Sequence, residues 1–107
     1  MGQSVGELEQ LVLLALLRLG QSGYGIAVQR EIETRANRAA TLGAIYSTLS
    51  RLEEKGFVAS RVGDPSPVRG GRRKKLYKVL PVGRAALREA LGAVRALSQG
   101  LSPVFDI

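Results

Sequence analysis

The stretch Thr41-Leu42-Gly43-Ala44-Ile45-Tyr46-Ser47-Thr48-Leu49-Ser50-Arg51-Leu52-Glu53-Glu54-Lys55-Gly56 decides how this chain is read. Leu42, Ile45, Leu49 and Leu52 recur at spacings of three and four, the period of a helix with one buried face. Thr41 suits the N-cap of such a helix, and Gly56 past Lys55 supplies its stop. At about 100° per residue the opposite face holds Gly43, Ala44, Ser47, Ser50, Arg51 and Glu54, with Tyr46 at the boundary. That face opens on small residues, so its N-terminal end can approach another surface closely.

Downstream, Phe57 to Val62 reads as a strand, and Lys75 to Leu80, alternating polar and apolar, as its return. Gly63 to Gly71 between them is rich in turn residues, which gives a hairpin with a long tip. Six of the ten residues from Arg69 to Lys78 are basic and none is acidic: Arg69, Arg72, Arg73, Lys74, Lys75 and Lys78. Pro81 suits the first turn of a last helix over Val82 to Gln99. Its Leu87, Leu91, Val94 and Leu101, with Ala90 and Leu97 alongside, form a stripe that either closes the core or pairs with its copy in a second subunit. Ser102 to Ile107 reads as an irregular tail.

Upstream, a helix is expected over Val5 to Leu19, with Leu8, Leu11, Val12, Ala15, Leu16 and Leu19 on one stripe. Leu13, Leu14 and Leu17 widen its apolar surface, so it wants cover on more than one side, from the core or from a dimer partner. Gly20 closes it, Gln21 to Gly23 turn, and a second helix spans Tyr24 to Ala36 with Tyr24, Ala27, Val28 and Ile32 inward.

The bulk numbers bound the partners. The chain has 107 residues, a net charge of +7 and a pI near 10.6, which favours a polyanion over a neutral partner. It contains neither cysteine nor histidine, which excludes disulfides, thiol nucleophiles, zinc fingers and histidine acid–base chemistry. No cofactor or metal is expected, and without a cluster of carboxylates an enzyme is the weakest reading. The opening MGQSVGELEQ carries two glutamates and no basic residue, unlike a signal peptide. The longest apolar run, Leu11 to Leu17, is far short of the roughly 20 residues that span a membrane. A cytoplasmic protein with no membrane partner is expected.

Three helices followed by a hairpin follow the winged helix-turn-helix order, a mainly helical α+β fold. In such proteins the later helix of the pair enters the major groove N-terminus first, and basic residues on a flexible hairpin follow phosphates or enter a minor groove. Residues 1–80 are expected to form the DNA-binding unit and residues 81–107 a C-terminal dimerisation helix and tail, the whole being one compact unit. A winged-helix module that binds protein or RNA is the alternative.

The same residues resemble the PadR family of bacterial transcriptional regulators over nearly the whole chain. Gly6-Glu7-Leu8-Glu9 and the leucines after it resemble the family's first helix, and Ser22-Gly23-Tyr24-Gly25-Ile26 its turn around a Tyr-Gly pair. Gly43 to Val58 is similar to its Tyr-x-x-Leu, then Arg-Leu-Glu-x-x-Gly, pattern; Arg73 to Lys78 and Pro81 to Gly83 resemble its return strand and Pro-x-Gly helix start. The resemblance implies a homodimeric repressor of a palindromic operator in double-stranded DNA, whose last helix pairs with the first helix and with the partner. Carried over by position, it implies DNA contacts from Thr41, Gly43, Ala44, Tyr46, Ser47 and Arg51 and from the wing at Arg69, Arg72, Arg73, Lys74 and Lys75. A dimer interface is expected at Leu13, Leu17, Leu87, Leu91, Val94, Leu97 and Leu101. Some members sense phenolic or other aromatic compounds near that interface, which leaves a small-molecule effector open. Two departures stand out: Leu80 replaces the threonine usual before Pro-x-Gly, so the last helix lacks a hydroxyl cap, and the chain has no tryptophan to sandwich a flat effector.

Overall fold

Element boundaries in the computed structural model follow from local chemistry, and the structure describes residues 4–65 and 73–105, with the backbone alone at 64, 65, 73 and 105. Helix α1 spans Glu7–Leu19. The Gly6 amide donates to Glu9 Oε1 at 2.7 Å, which satisfies one N–H at the helix entrance. Gly20, at φ 60°, ends the helix and opens a one-turn 3-10 segment, Gly20–Ser22. Helix α2, Gly25–Ala36, stops at Asn37, which takes the left-handed conformation a short polar residue tolerates.

Helix α3 covers Leu42–Glu54, and Thr41 Oγ1 accepts from the Ala44 amide at 3.0 Å, the expected cap. Gly56, at φ 78°, turns the chain into the sheet. Strands β1 (Val58–Pro65) and β2 (Arg73–Val79) pair antiparallel, with Val58 opposite Val79, Ser60 opposite Tyr77 and Val62 opposite Lys75. The register shifts between Val62 and Pro65. Tyr24 bridges to Leu76, and the Tyr77 amide donates to the Gly23 carbonyl at 2.8 Å, so the turn before α2 lies along the free edge of β2.

Helix α4, Pro81–Ser98, begins without a side-chain cap at Leu80, as its sequence implies. Gly100, at φ 85°, then leads into a four-residue helix α5, Ser102–Phe105, where the sequence suggested only irregular chain. Pro103 at the start of that turn is pre-set for helix, and a single turn leaves no periodicity to detect.

The core gathers Val12, Leu13 and Leu16 of α1, Val28 and Ile32 of α2, Ile45, Leu49 and Leu52 of α3, Phe57, Val58 and Tyr77 of the hairpin and Leu87 of α4. Each such side chain contributes about 1.5–3 kcal/mol by leaving water. Two expectations for the dimer surface are corrected here. Leu13 is fully buried and Leu87 is 3% exposed, because the first half of α4 packs on α1 and fills the interior of the single chain. From Leu91 to Ser98 every residue of α4 is exposed.

Candidate nucleic-acid interface

The N-terminal end of α3 is open. Thr41, Gly43 and Ser47 are exposed, Ala44 is half-buried, and the cap consumes only the Ala44 amide. The earlier amides of the first turn have no partner inside the helix, and the positive end of the helix dipole adds to their pull on an anion. Ser50 and Glu54 continue the exposed face. The buried face is wider than the apolar spacing implied, for Thr48 also lies inside and returns its hydroxyl to the Ala44 carbonyl at 2.8 Å.

Two residues expected on this face are held by their neighbours. The Tyr46 ring lies against the start of α2, where a Cβ at Gly25 would fall 2.5 Å from Tyr46 Cζ. Only glycine at position 25 admits the ring, and the phenol of Tyr46, 42% exposed, stays at the boundary between α2 and α3. Arg51 turns toward α1: its Nε lies 3.7 Å from Glu9 Oε2 and its Nη2 3.5 Å from Thr48 Oγ1.

The wing is described only at its base. Arg69 and Arg72 lie outside the described residues, and Arg73 is placed by its backbone pairing with Pro65. Lys74 stands over the Tyr24 ring, 4.3 Å from its centroid, a cation–π contact. Lys75 lies 3.9 Å from Glu53 Oε1 and 5.7 Å from the centroid of Tyr77. Glu53 also accepts from Ser60 Oγ at 2.5 Å, so the base of the hairpin is tied to the last turn of α3. These ties join the base of the hairpin to the exit end of α3. Tyr24 and Gly25, quoted above as the Tyr-Gly pair, and Glu53 make these contacts, a role that spacing along the sequence did not assign to them.

The expected interface residues separate into two sets. Leu17, Leu91, Val94, Leu97 and Leu101 are exposed, while Leu13 and Leu87 are interior. Leu14 and Val104 join the exposed set, and Leu97 is 84% accessible. A groove of about 320 Å³ runs between α1 and α4, with Leu14, Leu17, Leu87 and Leu91 along it and Arg84 and Arg88 at its side. Leucine and valine in such a row on one chain are a surface that a second surface would cover.

Among the described residues no group of three acidic, histidine or cysteine side chains is placed to hold a metal ion, and no helix is long and apolar enough to cross a membrane.

Residues 13–89 match the transcriptional regulator PadR-like family. The transcriptional regulator Rv3488 of Mycobacterium tuberculosis is 35% identical over 78 residues, 71% of this chain and 66% of that protein. The match thus spans just under two thirds of that relative. A PadR family regulator from Clostridium difficile superposes with a TM-score of 0.72 at 21% identity, over 94% of this chain and 98% of that one. Bacillus subtilis PadR, solved in complex with operator DNA, superposes with a TM-score of 0.64 at 24% identity, over 78% of this chain and 46% of that one.

Proposed function

Because the chain belongs to the PadR-like family of transcriptional regulators, we propose that it represses transcription as a homodimer that reads a palindromic operator in duplex DNA. One observation carries the reading: helix α3, whose N-terminal end is exposed, is tied at its last turn to the base of a basic hairpin through Glu53, Ser60 and Lys75. The operator complex of Bacillus subtilis PadR supports DNA as the partner.

The two parts do different work. The α3 face, with Thr41, Gly43, Ala44, Tyr46 and Ser47, enters the groove closely but carries few long side chains, so it gives register and modest base readout. The wing residues Arg69, Arg72, Arg73, Lys74 and Lys75 supply phosphate contacts, each adding about −0.9 to the slope of log affinity against log salt. Lys74 and Lys75 meet DNA from anchored positions over Tyr24 and beside Glu53. Arg51, turned to Glu9, contributes to DNA only at the edge of the face.

Modest readout per subunit makes the dimer necessary. Residues 1–80 form the DNA-binding unit, and 81–107 supply the dimerisation helix, whose exposed Leu91, Val94, Leu97 and Leu101 meet the partner together with Leu14 and Leu17 of α1. Two α3 helices about 34 Å apart then read successive turns of one face of the duplex. Relief by a small molecule belongs to the family resemblance, and no residue of this chain is assigned to it.

The test is a titration against duplex from upstream of the gene and against a scrambled duplex, at two salt concentrations. A preference for the upstream duplex with a steep salt slope supports the reading. Equal affinity for both duplexes would sink it, and a steep slope without preference would leave a nonspecific binder.

A further inference from the structure

Glu9 is one of two buried polar side chains among the described residues, and it joins the start of α1 to the far end of α3. Its carboxylate receives Lys55 Nζ at 2.9 and 2.8 Å, one contact on each oxygen, and the Gly6 amide at 2.7 Å. Arg51 Nε stands 3.7 Å away. Lys55 also donates to the Ser4 carbonyl at 3.0 Å, which closes the cluster on the chain entering α1. Lys55 is the C-cap of α3, so this is the pin at the exit of the reading helix. The entrance is held separately, by Arg38 on Glu7 at 2.7 Å and by Gln29 on the Ala40 carbonyl at 2.8 Å.

We propose that Glu9 is a positioning residue for DNA reading: with Lys55 it fixes the tilt of α3 against α1. The inference rests on the DNA-reading function proposed above. Helix α3 has 13 residues, about 20 Å at 1.5 Å per residue, and it is pinned at the end opposite the one that reads. Without that pin the helix can tilt about its core-packed middle at Ile45 and Leu49, and a tilt of about 5° then moves the Thr41 end by roughly 0.9 Å. Productive contacts demand placement within about 0.5 Å. Helix α1 also carries Leu14 and Leu17, the exposed leucines assigned to the dimer, so the same ion pair sets how the two reading ends stand relative to each other. By holding Arg51 sideways, Glu9 further keeps that guanidinium from adding a sequence-independent phosphate contact.

The experiment measures, for the full chain, affinity for a duplex selected by the wild type from a random pool and for a scrambled duplex of equal length, with thermal unfolding in parallel. Glu9→Gln keeps the shape and removes the charge. The expected result is a fall of about tenfold in the ratio of the two affinities, with affinity for the scrambled duplex unchanged or raised. Lys55→Met should lower the ratio alike, and the double variant should be no worse than either single one. A residue that only stabilises the fold would lower both affinities together, in step with the folded fraction. That result, or an unchanged ratio in a folded Glu9→Gln, overturns the proposal. If Glu9→Gln does not fold, Lys55→Arg, which keeps the charge at a different reach, decides: a lowered ratio supports the proposal and an unchanged ratio overturns it. A wild type without any preference fails earlier, at the DNA-reading function itself.

Discussion

Replacing Gly83 with alanine places a methyl group inside the joint between α4 and the start of the hairpin. An ideal Cβ there lies 2.9 Å from both the carbonyl carbon and the Cβ of Phe57, and closer still to the Phe57 carbonyl oxygen. That oxygen is held in place, because it accepts from the Leu80 amide at 2.9 Å. Carbon atoms rest at about 3.5–4.0 Å, so α4 must back away by roughly 1 Å against main chain that cannot swing aside. Overpacking of this kind costs about 1–3 kcal/mol, and an obstacle made of backbone puts Gly83→Ala near 3 kcal/mol. The better helix propensity of alanine returns up to about 1 kcal/mol. The net loss of about 2 kcal/mol corresponds to a Tm lower by roughly 8–16 °C. Gly92→Ala is the control, for it is exposed on the same helix with nothing within 4 Å of the added Cβ, and it should raise Tm by a few degrees. Both are read by calorimetry at one protein concentration, since association shifts Tm. A Gly83→Ala protein melting at or above the wild type would refute the seating of α4 on Phe57.

Three further outcomes are expected. Leu91→Glu or Val94→Glu should give monomers by light scattering, because each puts a charge on the exposed apolar row of α4; a stable dimer would mean that the row lies outside the interface. Alanine at Arg72, Arg73, Lys74 and Lys75 together should weaken binding to every duplex alike and flatten the salt slope, and unchanged affinity in a filter-binding titration would remove the wing from the mechanism. The third concerns acid. Burial pushes the Glu9 carboxyl up, but the Lys55 and Gly6 hydrogen bonds and the charges of Lys55 and Arg51 more than offset this and hold it below its ordinary value of 4.5. A carboxyl depressed in the folded state contributes stability that is present above its unfolded pKa and lost as pH falls through the folded one. Denaturant melts below about pH 4.3 should therefore show the wild type losing more stability than Glu9→Gln, and parallel acid arms would contradict the depressed value.

Much of the fold was legible in single residues. Thr41, Gly56, Gly20 and Pro81 each act locally, through a cap, a positive φ or a fixed φ, and their consequences need no knowledge of the rest of the chain. The assignment of leucines to core or partner was less legible. Periodicity identifies which residues share a face but not which part of a helix meets its own chain, so Leu13 and Leu87 read as surface and proved interior, whereas Leu91 onward is exposed.

The site was half legible for the same reason. The small residues at the head of α3 are a local property and stand where expected. The direction of Arg51 is set by Glu9, 42 positions earlier, and the seat of Tyr46 by Gly25, neither of which spacing within α3 can reveal. Glu9 entered the sequence reading only as part of the segment Gly6-Glu7-Leu8-Glu9; the fold alone brings Lys55 onto it.

The most direct measurement of two α3 helices reading one operator is a hydroxyl-radical footprint on the preferred duplex, paired with the stoichiometry of the complex. Two chains per duplex should protect two patches on one face, related by a dyad and centred about 34 Å apart. One chain per duplex, or a single patch without symmetry, would contradict the homodimeric reading of DNA.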